Sequence, residues 1–113
     1  MADVVYINVE EGLKRVLSNS GLYIKLLNKF KNDTNLNSIK DSLAKNDIEE
    51  ARSFTHTLKG LTANLSLTEM YIKCLELEDQ LKKGSFDPAL VELISDVSEQ
   101  TTIEIDKVIA QYA

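Results

Sequence analysis

Proline and cysteine occur once each in this chain of 113 residues and glycine only four times, and each scarcity removes a class of protein. The one cysteine, Cys74, cannot form an internal disulfide. No Cys/His cluster stands beside it to hold zinc, so the chain reads as one made for a reducing compartment, with the cytoplasm as the expected location. So little glycine and proline, set among many Leu, Ile, Lys and Glu, is the composition of helices rather than of a turn-rich β fold. Basic residues are also in the minority, 13 against 18 acidic, for a formal net charge of −5. That balance disfavours nucleic acid and anionic membrane as partners and leaves proteins. No apolar run approaches the roughly 18 residues needed to span a bilayer, and the opening MADVVYINVEE carries acids where a secretory leader would be basic. Histidine is as scarce as cysteine. With His56 alone, too few ligands are present for a stable metal site, and none is expected.

What remains is a single domain, residues 1–113, large enough to bury roughly 60 to 70% of the surface its unfolded chain would expose. The leading Met1 favours a free-standing protein over a domain of a longer kinase. Helix starts are well marked. Asn8-Val-Glu-Glu11, Asp47-Ile-Glu-Glu50 and Ser66-Leu-Thr-Glu69 each place a capping residue three positions before a glutamate. Asp87-Pro88 puts proline at a first helical position, and Asn19-Ser20-Gly21 is a fifth candidate start.

Apolar residues keep helical spacing between these marks: Ala51, Phe54, Leu58, Leu61 and Leu65; then Leu67, Met70, Cys74, Leu77 and Leu81; then Leu90, Ile94, Val97, Thr101, Ile105, Val108 and Tyr112. Leu22, Tyr23, Leu26, Leu27 and Phe30 form another stripe. Leu36, Ile39 and Leu43 fall out of phase with it, so Asn32-Asp-Thr-Asn35 is read as a break or kink. The pattern predicts an all-α protein, an antiparallel four-helix bundle with short connections and a short additional N-terminal helix over about 8–18.

His56 lies inside one of these helices, in T-H-T-L-K-G, residues 55–60. At about 100° per residue, Phe54, Leu58, Leu61 and Leu65 fall on the side opposite to it, so the imidazole is expected to face water. Arg52, Ser53, Lys59, Gly60 and Ala63 share its stripe. A lysine one turn on penalises a second positive charge and so favours the neutral, nucleophilic imidazole. The same ammonium would become a counter-ion if the ring took up a phosphoryl group, and Arg52, one turn earlier, is a second candidate or simply a solvated charge. Gly60 costs about 1 kcal/mol of helix propensity relative to alanine, which has a use if another molecule must come close at that point. Cys74 lies in an apolar seam and reads as core.

The stretch ARSFTHTLKGLTANL, residues 51–65, resembles the H-x-x-K-G region of histidine-containing phosphotransfer domains, the phosphoryl carriers of phosphorelays. Residues 7–30 are similar to the usual lead-in of these domains, and residues 74–84 resemble the helix that follows the histidine helix. The resemblance implies that His56 is the phosphorylated residue, Lys59 its electrostatic support, and Gly60 the gap for an incoming response-regulator receiver domain. Arg52, Ala63 and Glu78 would border the partner. Glu78 falls where family members often carry glutamine or glutamate near the histidine; on the residues alone it is equally a solvated neighbour of Leu77. Family members commonly have glycine two residues after the asparagine matching Asn64, whereas this chain has Ser66 there. The segment 30–47 is a little shorter than usual.

A domain of this kind is a carrier, not an enzyme. It needs no cofactor of its own, and Mg²⁺ belongs to the receiver. Two other readings stay open: direct phosphorylation of His56 by the ATP-binding domain of a histidine kinase, as in chemotaxis kinases, and a phosphate-independent helical adaptor. Keeping both His56 and Lys59 argues against the adaptor, because docking alone needs no imidazole.

Overall fold

The computed structural model describes residues 4–112; Met1, on which the free-standing reading rests, lies outside them. Six helices follow one another: α1 (Val9–Arg15), α2 (Ser20–Phe30), α3 (Asn35–Ala44), α4 (Ile48–Asn64), α5 (Thr68–Lys82) and α6 (Pro88–Tyr112). Among the described residues there is no strand. The first arm of the bundle is α2 plus α3, with α2 packed on α6 and α3 on α4; α4, α5 and α6 complete the ring in order, and α1 adds the short N-terminal helix. No helix among the described residues is long and apolar enough to cross a membrane.

Most of the expected starts are real caps. The Asn8 carboxamide accepts from the Glu11 amide at 3.1 Å, Asn19 from Leu22 at 3.0 Å, and Asp47 from Glu50 at 3.0 Å. Pro88 opens α6, where Asp87 Oδ1 accepts from the Ala89 amide at 2.9 Å. Each bond satisfies an amide that has no partner within its own helix. The expected break is present too: α2 ends at Phe30, and Asp33 accepts from both the Asn35 amide and its side chain where α3 begins.

The capping box expected at Ser66 is not there. Only Leu65, Ser66 and Leu67 connect α4 to α5, and Ser66 is spent on ending α4. Its φ of +56° is left-handed, with the Leu67 amide donating to Thr62 O at 2.9 Å and the Ser66 amide to Ala63 O at 3.2 Å. That is a Schellman turn with serine at the residue glycine usually fills. The Ser66 hydroxyl donates to Glu11 Oε1 at 3.0 Å, and the Glu69 amide donates to Val5 O instead. α1 is also shorter than expected, because Leu17 and Ser18 both take positive φ after Arg15.

The seams of α5 and α6 are as spaced: Leu67, Met70, Cys74, Leu77 and Leu81, and Leu90, Ile94, Val97, Thr101, Ile105 and Val108, are buried, while Tyr112 is largely exposed. The buried face of α4 is turned slightly from the expected one. Ala51, Thr55, Leu58, Thr62 and Leu65 are inside, whereas Phe54 and Leu61 are half-buried. Thr55 and Thr62 can be buried because their hydroxyls donate back to Ala51 O at 2.7 Å and Lys59 O at 2.9 Å, leaving no unsatisfied polar group. Tyr23 is fully buried against α1 and donates to Leu65 O at 2.8 Å. Burial, with the nearby Tyr112 and Glu11, raises its phenol to about 12.

Candidate functional site

The turn of the buried face decides the surroundings of His56. With the α4 core centred near Thr55 and Leu58, His56 stands about 140° around the helix from Ala51, and Lys59 lies between it and the core. The imidazole therefore leans over the α4–α5 seam instead of pointing straight out. Across that seam is Glu78, whose side chain is only 3% exposed. Glu78 Oε2 is 2.7 Å from His56 Nδ1, and Oε1 accepts from Lys59 Nζ at 2.5 Å.

A carboxylate buried this deeply needs partners for both oxygens. Burial by itself would push the Glu78 carboxyl upward. Hydrogen bonds from Lys59 and His56 and the charges of Lys59 and Lys82 outweigh it, and the carboxyl is held below its ordinary value of 4.5. Glu78 is thus ionised at neutral pH and can only accept. His56 Nδ1 must be the donor, so in the neutral ring the lone pair lies on Nε2. The side chain remains 71% exposed, and Nε2 is open to an incoming group.

Lys59 is half-buried, not on the open face: its ammonium, 20% exposed, is bonded to Glu78, the same carboxylate that holds the His56 ring. Arg52 is exposed one turn before His56, Ala63 is half-buried, and Gly60 is exposed with nothing within 4 Å of where a Cβ would lie. All six candidate residues fall in one region, five on α4 and Glu78 facing them from α5.

Two neighbours were missed. The three-residue connection makes α4 and α5 antiparallel, and Glu78 fixes their register at His56 and Lys59. At 1.5 Å per residue, Lys82 lies about 6 Å from Glu78 toward the Arg52 end, and Leu75 about 4.5 Å the other way, toward Gly60 and Ala63. Leu75 is 45% exposed. It stands outside the 67-70-74-77-81 seam, and a leucine off the seam was the available signal. Lys82 carries no ion pair among the described residues, whereas the adjacent Lys83 holds Asp79 at 3.1 Å. The surface is thereby polarised around the imidazole, with cations at one end and small or apolar residues at the other. A cleft of about 720 Å³ between α1, α2 and α4, floored by Leu26, Phe30 and Leu61, lies away from this surface and contains none of these groups.

The Hpt domain family model matches residues 27–111, which include every one of these residues. The chain belongs to the Hpt domain family. In fold, the Hpt chain is similar to the crystal structure of histidine-containing phosphotransfer protein B (HptB) from Pseudomonas aeruginosa PAO1, with a TM-score of 0.87, 22% identity, and coverage of 98% of this chain and 100% of that one. Among curated proteins none matches. Membership assigns the Hpt chain a histidine phosphotransfer role in phosphorelay signalling, as a carrier. Cys74 stays outside this chemistry: it is fully buried, and burial together with the Glu78 charge raises its thiol to about 12.

Proposed function

We propose that His56 accepts a phosphoryl group from the aspartyl phosphate of one receiver domain and passes it to the aspartate of another. The observation that carries this reading is the Nδ1–Glu78 bond, which fixes the tautomer and leaves an exposed nucleophilic Nε2.

The Nε2 lone pair attacks phosphorus as the bond from phosphorus to the aspartyl oxygen breaks, and the electron pair leaves with the aspartate carboxylate. The ring keeps its Nδ1 proton and becomes an imidazolium, and Glu78, already hydrogen-bonded there, neutralises the new charge without taking the proton. A buried carboxylate plays the same part toward the histidine of a catalytic triad. Reversal needs no further proton transfer, in keeping with a carrier that both accepts and donates. Positioning and charge stabilisation carry phosphoryl transfer, and the receiver with its Mg²⁺ supplies most of the charge. Gly60, Ala63 and Leu75 give the partner a low, partly apolar landing surface, and Arg52 meets the acidic rim expected around a receiver's aspartate. The cytoplasm, where receivers and kinases reside, is the compartment this reading implies.

The test is a phosphotransfer panel. Receivers charged with phosphate should label the domain with an acid-labile, base-stable group that a second receiver removes. A domain labelled only by ATP and a kinase's catalytic domain, and by no receiver, would instead make His56 a direct kinase substrate. Tight receiver binding without any label would leave a docking adaptor.

A further inference from the structure

We infer that the cleft between α1, α2 and α4 binds a small amphiphile with an apolar tail and a carboxylate head. This binding activity is separate from the chemistry at His56 and does not rest on it.

The cleft follows from a mismatch of helix lengths. α4 has 17 residues and its antiparallel neighbour α3 has 10, so the last two turns of α4, about 10 Å, run on past the start of α3. α2 does not cover them, because it packs chiefly on α6. α1 stops at Arg15, and the chain turns back through Leu17 and Ser18 at positive φ. What is left is a notch of about 720 Å³ with Val16, Leu26, Phe30, Leu61 and Leu65 on its walls. All but Leu65 are only half-buried, so a concave apolar surface faces water. The volume lies inside the range of roughly 300–1,000 Å³ typical of small-molecule sites. A protein partner would instead need about 800 Å² of surface on each side.

The polar rim selects the head group. Its charged residues are Arg15, Lys29 and Asp33. Both oxygens of Asp33 are occupied, accepting from the Asn35 amide at 2.9 Å and from the Asn35 side chain at 2.8 Å. The cations are freer. Arg15 meets Glu11 only at 3.5 Å, between side chains that are each about half-exposed, a contact readily exchanged for another. Lys29 holds no ion pair among the described residues, whereas Lys31 nearby is taken by Asp106. The Thr34 hydroxyl, also on the rim, caps no amide of α3. The rim therefore offers free donors and few free acceptors, and a carboxylate, which only accepts, complements it. An ammonium head would meet Lys29 and Arg15. One unpaired lysine also suits a single negative charge better than the nearly two charges of a phosphate ester.

Decanoate, decanol and decyltrimethylammonium share a tail and differ in the head, and they test this on the full chain. Each would be titrated, below its micelle concentration, into protein with labelled Leu and Val methyls and followed by ¹H–¹³C NMR. Decanoate should give saturable shifts confined to Val16, Leu26, Leu61 and Leu65. Decanol should shift the same methyls with weaker affinity, and decyltrimethylammonium should be the weakest. Lys29→Gln should weaken decanoate about two- to fivefold, the span expected of an exposed ion pair, and leave decanol unchanged; Lys29→Arg should keep the wild-type affinity. Leu61→Gln should abolish binding of all three. If that variant does not fold, intermolecular NOEs from the decanoate tail to the Phe30 ring and the Leu61 methyls in wild type locate the ligand equally well. Shifts that never saturate, shifts centred on another surface, or decanol binding as tightly as decanoate would overturn the inference.

Discussion

Replacing Glu78 with glutamine keeps the shape of the side chain and removes its charge. The new amide oxygen can still accept from His56 Nδ1, but the opposite end then presents an NH₂ group to the Lys59 ammonium, donor against donor. One charge-assisted hydrogen bond is lost, worth about 1.5–3 kcal/mol when the partner stays buried. Lys59 is 20% exposed and can turn partly to water, so a loss of about 1–2 kcal/mol is expected. For a domain of this size that is roughly 4–8 °C in melting temperature. Glu78 is held below its ordinary 4.5 in the folded protein. Its stabilising effect is therefore fully present above the unfolded value and disappears as pH falls through the lower folded value. Thermal melts of wild type and Glu78→Gln from about pH 7 to pH 2 should show the offset at neutral pH closing at the acid end. The other carboxylates titrate alike in both proteins and cancel in the difference. An offset that stays constant with pH, or none at neutral pH, would refute the ionised, buried Glu78 on which the tautomer argument depends.

Two glycines should respond in opposite ways to the same change. Gly60→Ala should raise stability by up to about 1 kcal/mol, since nothing lies near its added Cβ; Gly60→Gln should also fold, yet slow transfer from a receiver, and an unchanged transfer rate would remove Gly60 from the docking surface. Gly12→Ala should instead lose about 1–3 kcal/mol, because its Cβ would overlap the ring of Tyr23, which is fully buried; a denaturant midpoint at or above wild type would show that α1 moves aside freely.

The bundle was readable because α5 and α6 keep their apolar residues strictly in step, and because Asn8, Asn19, Asp47 and Pro88 mark helix starts by chemistry that acts within four residues. Ser66 misled for a related reason: the same side chain that caps a following helix can sit at the left-handed end of a preceding one, and only the length of the connection decides which. The rotated core of α4 was hidden by Thr55 and Thr62, polar by type but satisfied by their own helix once buried. His56 was legible as an exposed nucleophile. The role of Glu78 was not, because its burial and its two bonds depend on the register of α4 against α5. Periodicity within either helix does not contain that register. For the same reason the engagement of Lys59 and the freedom of Lys82 emerge only when the two helices are placed side by side.

The central claim is that Nε2 of His56 is the phosphoryl carrier, with Nδ1 protonated against Glu78. Long-range ¹H–¹⁵N and ³¹P NMR on ¹⁵N-histidine-labelled protein, phosphorylated by a charged receiver, reads both nitrogens of the single imidazole directly. The account predicts phosphorus on Nε2, a retained proton on Nδ1, and no signal in His56→Gln, which should fold to within about 1 kcal/mol of wild type because Lys59 still satisfies Glu78. Phosphorus on Nδ1, or a label that survives in His56→Gln, would contradict it.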